Sequence, residues 1–254
     1  MPSTRIHVAA LVALALLAAS VLPIDAHAIG EESLFDVRAI DYTGGHAAPR
    51  PSAPRRLGWE IRMRTSVETR LEPTRSRLSD PAIFNTPFLY WSGDEAFEPL
   101  SVSETDGLRR FVELGGFVLI DDASGGTGAF DSSVRREIAR AFPSLPLETM
   151  PGDHTLYRAF YLVHRPVGRI EGPGHVEMME QGGRTAIVYS RHDLGGAWAR
   201  DSLGNWEQPV TPGGESQREL AIRLGVNAAL YALCLDYKDD QVHAPFLMRR
   251  GGLP

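Results

Sequence analysis

The chain has 254 residues and a net charge of -6, with 43% hydrophobic residues. That length suits one domain with a sizeable core behind a short leader, and the acidic balance argues against a nucleic-acid partner. The single cysteine, Cys234, excludes an internal disulfide and reads as a small buried apolar residue of a helix rather than a nucleophile.

Residues 1–28 read as a secretory signal. Arg5 and His7 form a basic start, 8–21 is a short apolar run, and Ala26-His27-Ala28 is an A-x-A cleavage site. The run falls short of the roughly 20 residues that span a bilayer. The expectation is therefore an exported protein, periplasmic or extracellular after cleavage near Ala28. It would have one domain over 29–236, a short tail over 237–254 and no membrane span.

Residues 35–42 alternate apolar and polar and predict the first strand. Thr43-Gly44-Gly45-His46 is a turn after it, and a proline-rich loop follows over 49–54. A short helix is predicted over 57–63. Between Gly44 and Leu78 stand eight Arg and three Glu, so the segment around 49–64 is a solvated helix face or a meeting place for an anion, the first reading being favoured. Residues 65–71 predict a second strand and 87–91 a stronger one.

Ser101 and Glu104 form a capping box for a helix carrying Leu108, Phe111 and Val112 on one face, stopped by Gly115-Gly116. Residues 117–120 are apolar on both alternating faces, as in a strand buried within a parallel sheet. Asp121 and Asp122 end that strand, and Asp131 or Ser132 caps the next helix, ended by Pro143. Residues 145–150 form a short strand or extended link. The segments 174–180 and 184–190 flank Gln181-Gly182-Gly183 and predict an antiparallel hairpin. Ser216 to Glu219 is a second capping box, opening the longest helix. Strands alternating with helices predict an α/β fold, a mostly parallel sheet with helices on both faces.

Ligands of such sheets lie beyond the carboxyl ends of the strands. The candidates there are Asp121, Asp122, Asp153, His154, Ser190, Asp193 and Trp198. Asp121 and Asp122 are adjacent, so they point to opposite faces and do not act as a close pair. Gly125, Gly126 and Gly128 precede a helix, and their amides could cradle an anion. They are not a dinucleotide fingerprint, because Asp131 stands where a third glycine belongs.

Ser190 and His192 share a face with Asp193 nearby, but no G-x-S-x-G elbow exposes the serine. Asp122, His154 and Asp193 are the metal candidates, with Asp153 and His192 beside them; their residue types suit a divalent ion, but their spacing matches no metal motif. Trp91, Trp198 and Trp206 are either a stacking surface or core.

Pro87-Phe88-Leu89-Tyr90, Leu108 to Phe111, Gly115-Gly116 through Asp121-Asp122, Ala129-Phe130-Asp131 and Ala141-Phe142-Pro143 together resemble a bacterial family, domain of unknown function 4159. Asp153-His154 resembles its D-H-P element, with Thr155 in place of the proline. Gly183-Arg184, Val188 to Ser190, Asp193-Leu194 and Trp198 resemble its next block, and Leu224 to Asn227 with Tyr231 its closing helix. The resemblance implies a flavodoxin-like, class I glutamine-amidotransferase-like three-layer sandwich, and no established activity. The nucleophilic cysteine of that enzyme group has no counterpart here. The expectation is a non-catalytic module that binds a small ligand or an envelope protein; a metal-assisted hydrolase is the alternative. No cofactor is implied.

Overall fold

A computed structural model describes residues 34–125 and 128–250, with side chains described as far as residue 234. The leader, Gly126, the side chain of Leu235 and the last four residues of the tail lie outside this description.

Seven strands form one sheet in the order β2-β1-β3-β4-β7-β6-β5. They are β1 (Arg38–Asp41), β2 (Arg75–Arg77), β3 (Phe88–Gly93), β4 (Phe117–Asp122), β5 (Glu148–Thr149), β6 (Glu177–Gln181) and β7 (Arg184–Ser190). The first five places are parallel; at one edge β6 runs antiparallel to β7, and β5 antiparallel to β6. The predicted hairpin is thus present, with β7 inside the sheet and β6 outside it. An order of 2-1-3-4 followed by a fifth parallel strand is the flavodoxin-like arrangement, whose direction reverses between β1 and β3.

The helices are α1 (Ala53–Arg64), α2 (Val102–Glu113), α3 (Ala129–Ala141), α4 (Leu194–Trp198) and α5 (Gly214–Arg250), with 3-10 turns at Pro81–Asn85 and Thr155–Arg158. The period of two in the central strands divides the core. Phe88, Tyr90, Phe117 and Leu119 pack with Leu57 and Ile61 of α1, with α4 and with α5. Leu89, Trp91, Val118 and Ile120 pack with Leu108 and Phe111 of α2 and Val134 and Ile138 of α3. Both faces are buried, so these strands need apolar residues on both alternating sides, as the run Phe117 to Ile120 of β4 has. The result is the expected three-layer sandwich.

The capping box of α2 forms as predicted. Ser101 Oγ accepts from the Glu104 amide at 3.2 Å, and Glu104 accepts from the Ser101 amide at 2.9 Å.

Several elements differ from expectation. Residues 65–71 are not a strand; they touch the sheet through one bridge, Phe35 to Thr69. The edge is β2, whose Arg75 and Arg77 are exposed while only Ser76 is buried. A charged edge strand has no apolar signal to find.

Neither Asp131 nor Ser132 caps α3, because Gly128 occupies that position at φ 78 without a side-chain cap. The helix α5 starts at Gly214, ahead of Ser216, and the Gln217 side chain accepts from the Gly213 amide at 2.9 Å. Its backbone stays helical through Arg250, so residues 237–250 continue this helix. Cys234 is exposed rather than buried: Ala232 is buried and Leu233 packs partly on the core, while Cys234 turns to the outer side of α5.

Candidate functional site

Parallel strands put their carboxyl ends at one rim, and β4 ends there on its two aspartates. Alternation sends them apart. Asp121 faces α4 and Asp122 faces the α2–α3 layer, where its nearest donor is the Ser124 amide at 2.8 Å. Asp121 has no exposed surface. It accepts from the Leu194 amide at 2.8 Å, the Gly195 amide at 2.7 Å and the Tyr90 hydroxyl at 2.7 Å. Residue 195 must be glycine for this to happen, since a Cβ there would lie 2.5 Å from the Tyr90 oxygen.

Asp193 follows β7 and is equally buried. It holds a left-handed conformation, φ 53, that few residues other than Gly, Asn and Asp adopt. Its carboxylate caps α4 by accepting from the Gly196 amide at 2.9 Å. Two arginines close on the same carboxylate. Arg50 donates through Nη2 at 2.7 Å and Nε at 3.2 Å, and Arg169 donates through Nε.

Burial, and then the charge of Asp193, push the Asp121 carboxyl up to about 7. A shifted carboxyl at a strand end often marks chemistry. Here the group is sealed and its hydrogen bonds are all internal.

Ser190 and His192 do meet, with Oγ 3.0 Å from Nδ1. The other ring nitrogen, Nε2, lies 2.6 Å from the Pro173 carbonyl, an acceptor, so Nε2 carries the proton and Nδ1 receives the serine hydroxyl. Asp193 instead serves the two arginines and Gly196, and no hydrolase triad forms. Both residues are without exposed surface, and burial holds the imidazole down to about 4.

The family model described as Domain of unknown function (DUF4159) matches residues 37–233. The chain belongs to that family. No curated protein matches it.

Other expected site residues of this DUF4159 domain stand elsewhere. His154 lies at the opposite rim. Its Nδ1 accepts from the Leu156 amide at 3.1 Å, capping the 3-10 turn, and its Nε2 meets Thr185 Oγ1 at 3.0 Å. Thr185 is near the amino end of β7, five residues before Ser190, which at about 3.3 Å per residue is roughly 16 Å along the strand. Asp153 is exposed beside His154.

Asp122, His154 and Asp193 therefore do not converge on one ion. Among the described residues no group of three His, Cys, Asp or Glu could hold a metal. Trp198 is not a stacking surface; it is wholly buried, donates Nε1 to the Ala221 carbonyl at 3.0 Å and packs on Tyr90. Trp91 is core as well, and the guanidinium groups of Arg200 and Arg218 stack on the Trp206 ring at 3.7 and 4.1 Å from its centroid.

The arginine-rich segment is neither an open anion patch nor simply solvated. Arg50 turns inward to Asp193, while Arg55, Arg56, Arg62, Arg64, Arg75 and Arg77 pair with acidic side chains. At the switch between β1 and β3, His46 Nδ1 lies 3.2 Å from Asp94. Tyr90, Arg50, Arg169 and Asp94 were not predicted as site residues. Arg169 stands outside every predicted element, and only the tertiary fold brings it to the rim. No helix among the described residues is long and apolar enough to cross a membrane.

Proposed function

We propose that this DUF4159 chain is an exported, non-catalytic binding module of the cell envelope. Its ligand face is the rim at the carboxyl ends of β1, β3, β4 and β7. The observation that carries the reading is how the acidic and nucleophilic groups of that rim are used. Asp121 holds two amides and a tyrosine, Asp193 holds two arginines and a helix end, and Ser190 is sealed against a neutral His192. A general base or nucleophile must reach the reacting atom in some pose, and these groups face inward. The leader at 1–28 supports export.

The test is turnover of p-nitrophenyl acetate, phosphate and glucoside, with and without Mn²⁺ or Zn²⁺. The reading predicts rates equal to buffer. Turnover that disappears in Ser190→Ala or Asp121→Asn, with the fold retained, contradicts it. N-terminal sequencing of protein recovered after export is expected to begin at Ile29, and a retained leader contradicts that part.

A further inference from the structure

At the rim, Arg169 is a cationic group with a fixed backbone whose two terminal nitrogens have no hydrogen-bond partner among the described residues. It spends only Nε on Asp193. Its backbone is tied on both sides. The Arg169 amide donates to the Asp193 carbonyl at 3.0 Å, and the Arg169 carbonyl accepts from the Thr211 amide at 2.9 Å. Gln217 of α5 holds the preceding carbonyl, Gly168, at 2.9 Å. The side chain keeps 22% exposure, so the free end of the guanidinium reaches solvent from a rigid base.

That end lies over the loop that leaves β4. A Cβ on Gly125 would sit 3.8 Å from Arg169 Nη2, and Gly125 has φ 68, so the loop presents bare backbone to the fork. One residue back, Ser124 Oγ is buried without a hydrogen-bond partner among the described residues. A buried hydroxyl without a partner is uncommon and costly. Asp131 in the first turn of α3 would oppose an anion, but its carboxylate is already taken up by the Tyr189 hydroxyl at 2.9 Å and by Arg135 at 3.0 Å.

We propose that Arg169, Ser124 and Gly125 form a site for a small oxyanion, the carboxylate or phosphate group of a ligand, gripped by the free fork of Arg169. Guanidinium presents two parallel donors that match two oxygens of either group. Because Asp193 and the backbone already fix the arginine, little side-chain freedom remains to be lost on binding. The site rests on the binding-module reading and gives it a ligand chemistry.

The test is calorimetric titration of the intact protein with inorganic phosphate and, separately, with succinate, at constant ionic strength held by NaCl. Saturable binding of at least one anion is expected. Arg169→Lys keeps a cation beside Asp193 but loses the fork, and is expected to weaken binding at least tenfold. Ser124→Ala, which leaves the ion pairs intact, is expected to weaken it several-fold. Phosphate alone assigns a phosphoryl ligand, and succinate alone a carboxylate ligand. No saturable binding by either anion, or an affinity unchanged in Arg169→Lys, overturns the site while leaving the non-catalytic reading in place. Turnover of p-nitrophenyl phosphate with intact anion binding does the reverse.

Discussion

Asp121 and Asp193, two fully buried carboxylates at the ends of adjacent parallel strands, bracket the first turn of α4. Asp121 takes the amides of Leu194 and Gly195, and Asp193 takes the next one, Gly196. Three free amides at one helix end are thereby satisfied by side chains from β4 and from the β7–α4 junction. The helix has only five residues, and these bonds replace the length it lacks.

This arrangement makes stability depend on pH through Asp121. Its carboxyl rises from an ordinary 3.8 to about 7. Between those values the folded protein keeps a proton that the unfolded chain has released. The contribution of Asp121 is therefore full below about pH 4 and is lost as pH rises through about 7. His192 acts in the opposite sense. Its imidazole is held at about 4 against an ordinary 6.5, so its contribution is full above about 6.5 and is lost as pH falls toward 4. Urea unfolding across pH 4 to 7 should show the stability of wild type relative to Asp121→Asn falling, and relative to His192→Gln rising. Flat differences would contradict the assignment.

Gly225 sits inside α5, where alanine is ordinarily favoured by about 1 kcal/mol. A Cβ there would lie 2.6 Å from Trp198 and 2.8 Å from Leu57, both wholly buried. Overpacking of that kind costs about 1–3 kcal/mol, so the clash outweighs the propensity. Gly225→Ala should lower the melting temperature by several degrees; a rise would show that the Trp198 pocket can yield.

His154→Ala removes the acceptor for the Leu156 amide and the partner of Thr185. Loss of such a cap costs about 1 kcal/mol, or about 2–4 °C in a domain of this size. Because His154 lies at the amino rim, its loss should leave the phosphate and succinate affinities unchanged. A shift in either affinity would place it nearer the ligand than the fold does.

The central strands were legible because burial on both faces demands unbroken apolar runs, and Phe117 to Ile120 is one. The Ser101–Glu104 box was legible because its four residues contain the whole interaction. The edge strand Arg75–Arg77 was not, since its side chains answer to Asp41, Thr43 and Glu104 rather than to a core.

Nor was the role of Asp193 visible. Arg50 lies 143 residues away in sequence and Arg169 lies 24 away, and no local pattern joins them. Alternation did tell that Asp121 and Asp122 diverge and that Ser190 and His192 share a face. It did not tell which rim His154 would occupy, because residues 153–163 form no strand whose direction could be read.

Asp193 anchors the rim structurally, holding Arg50, Arg169 and the Gly196 amide. Its side chain is wholly buried and its two arginines are 15% and 22% exposed. Removing one member of such a group leaves uncompensated buried charge, at a cost of about 3–5 kcal/mol. Asp193→Asn, which tolerates the left-handed backbone and keeps an acceptor for Gly196, should lose less than Asp193→Ala. The most direct measurement is equilibrium urea unfolding of wild type and Asp193→Ala at pH 7. A loss of about 3–5 kcal/mol is expected from the stranded arginines. Unchanged or increased stability, the behaviour of a carboxylate kept for function at the expense of the fold, would contradict the structural reading of the rim.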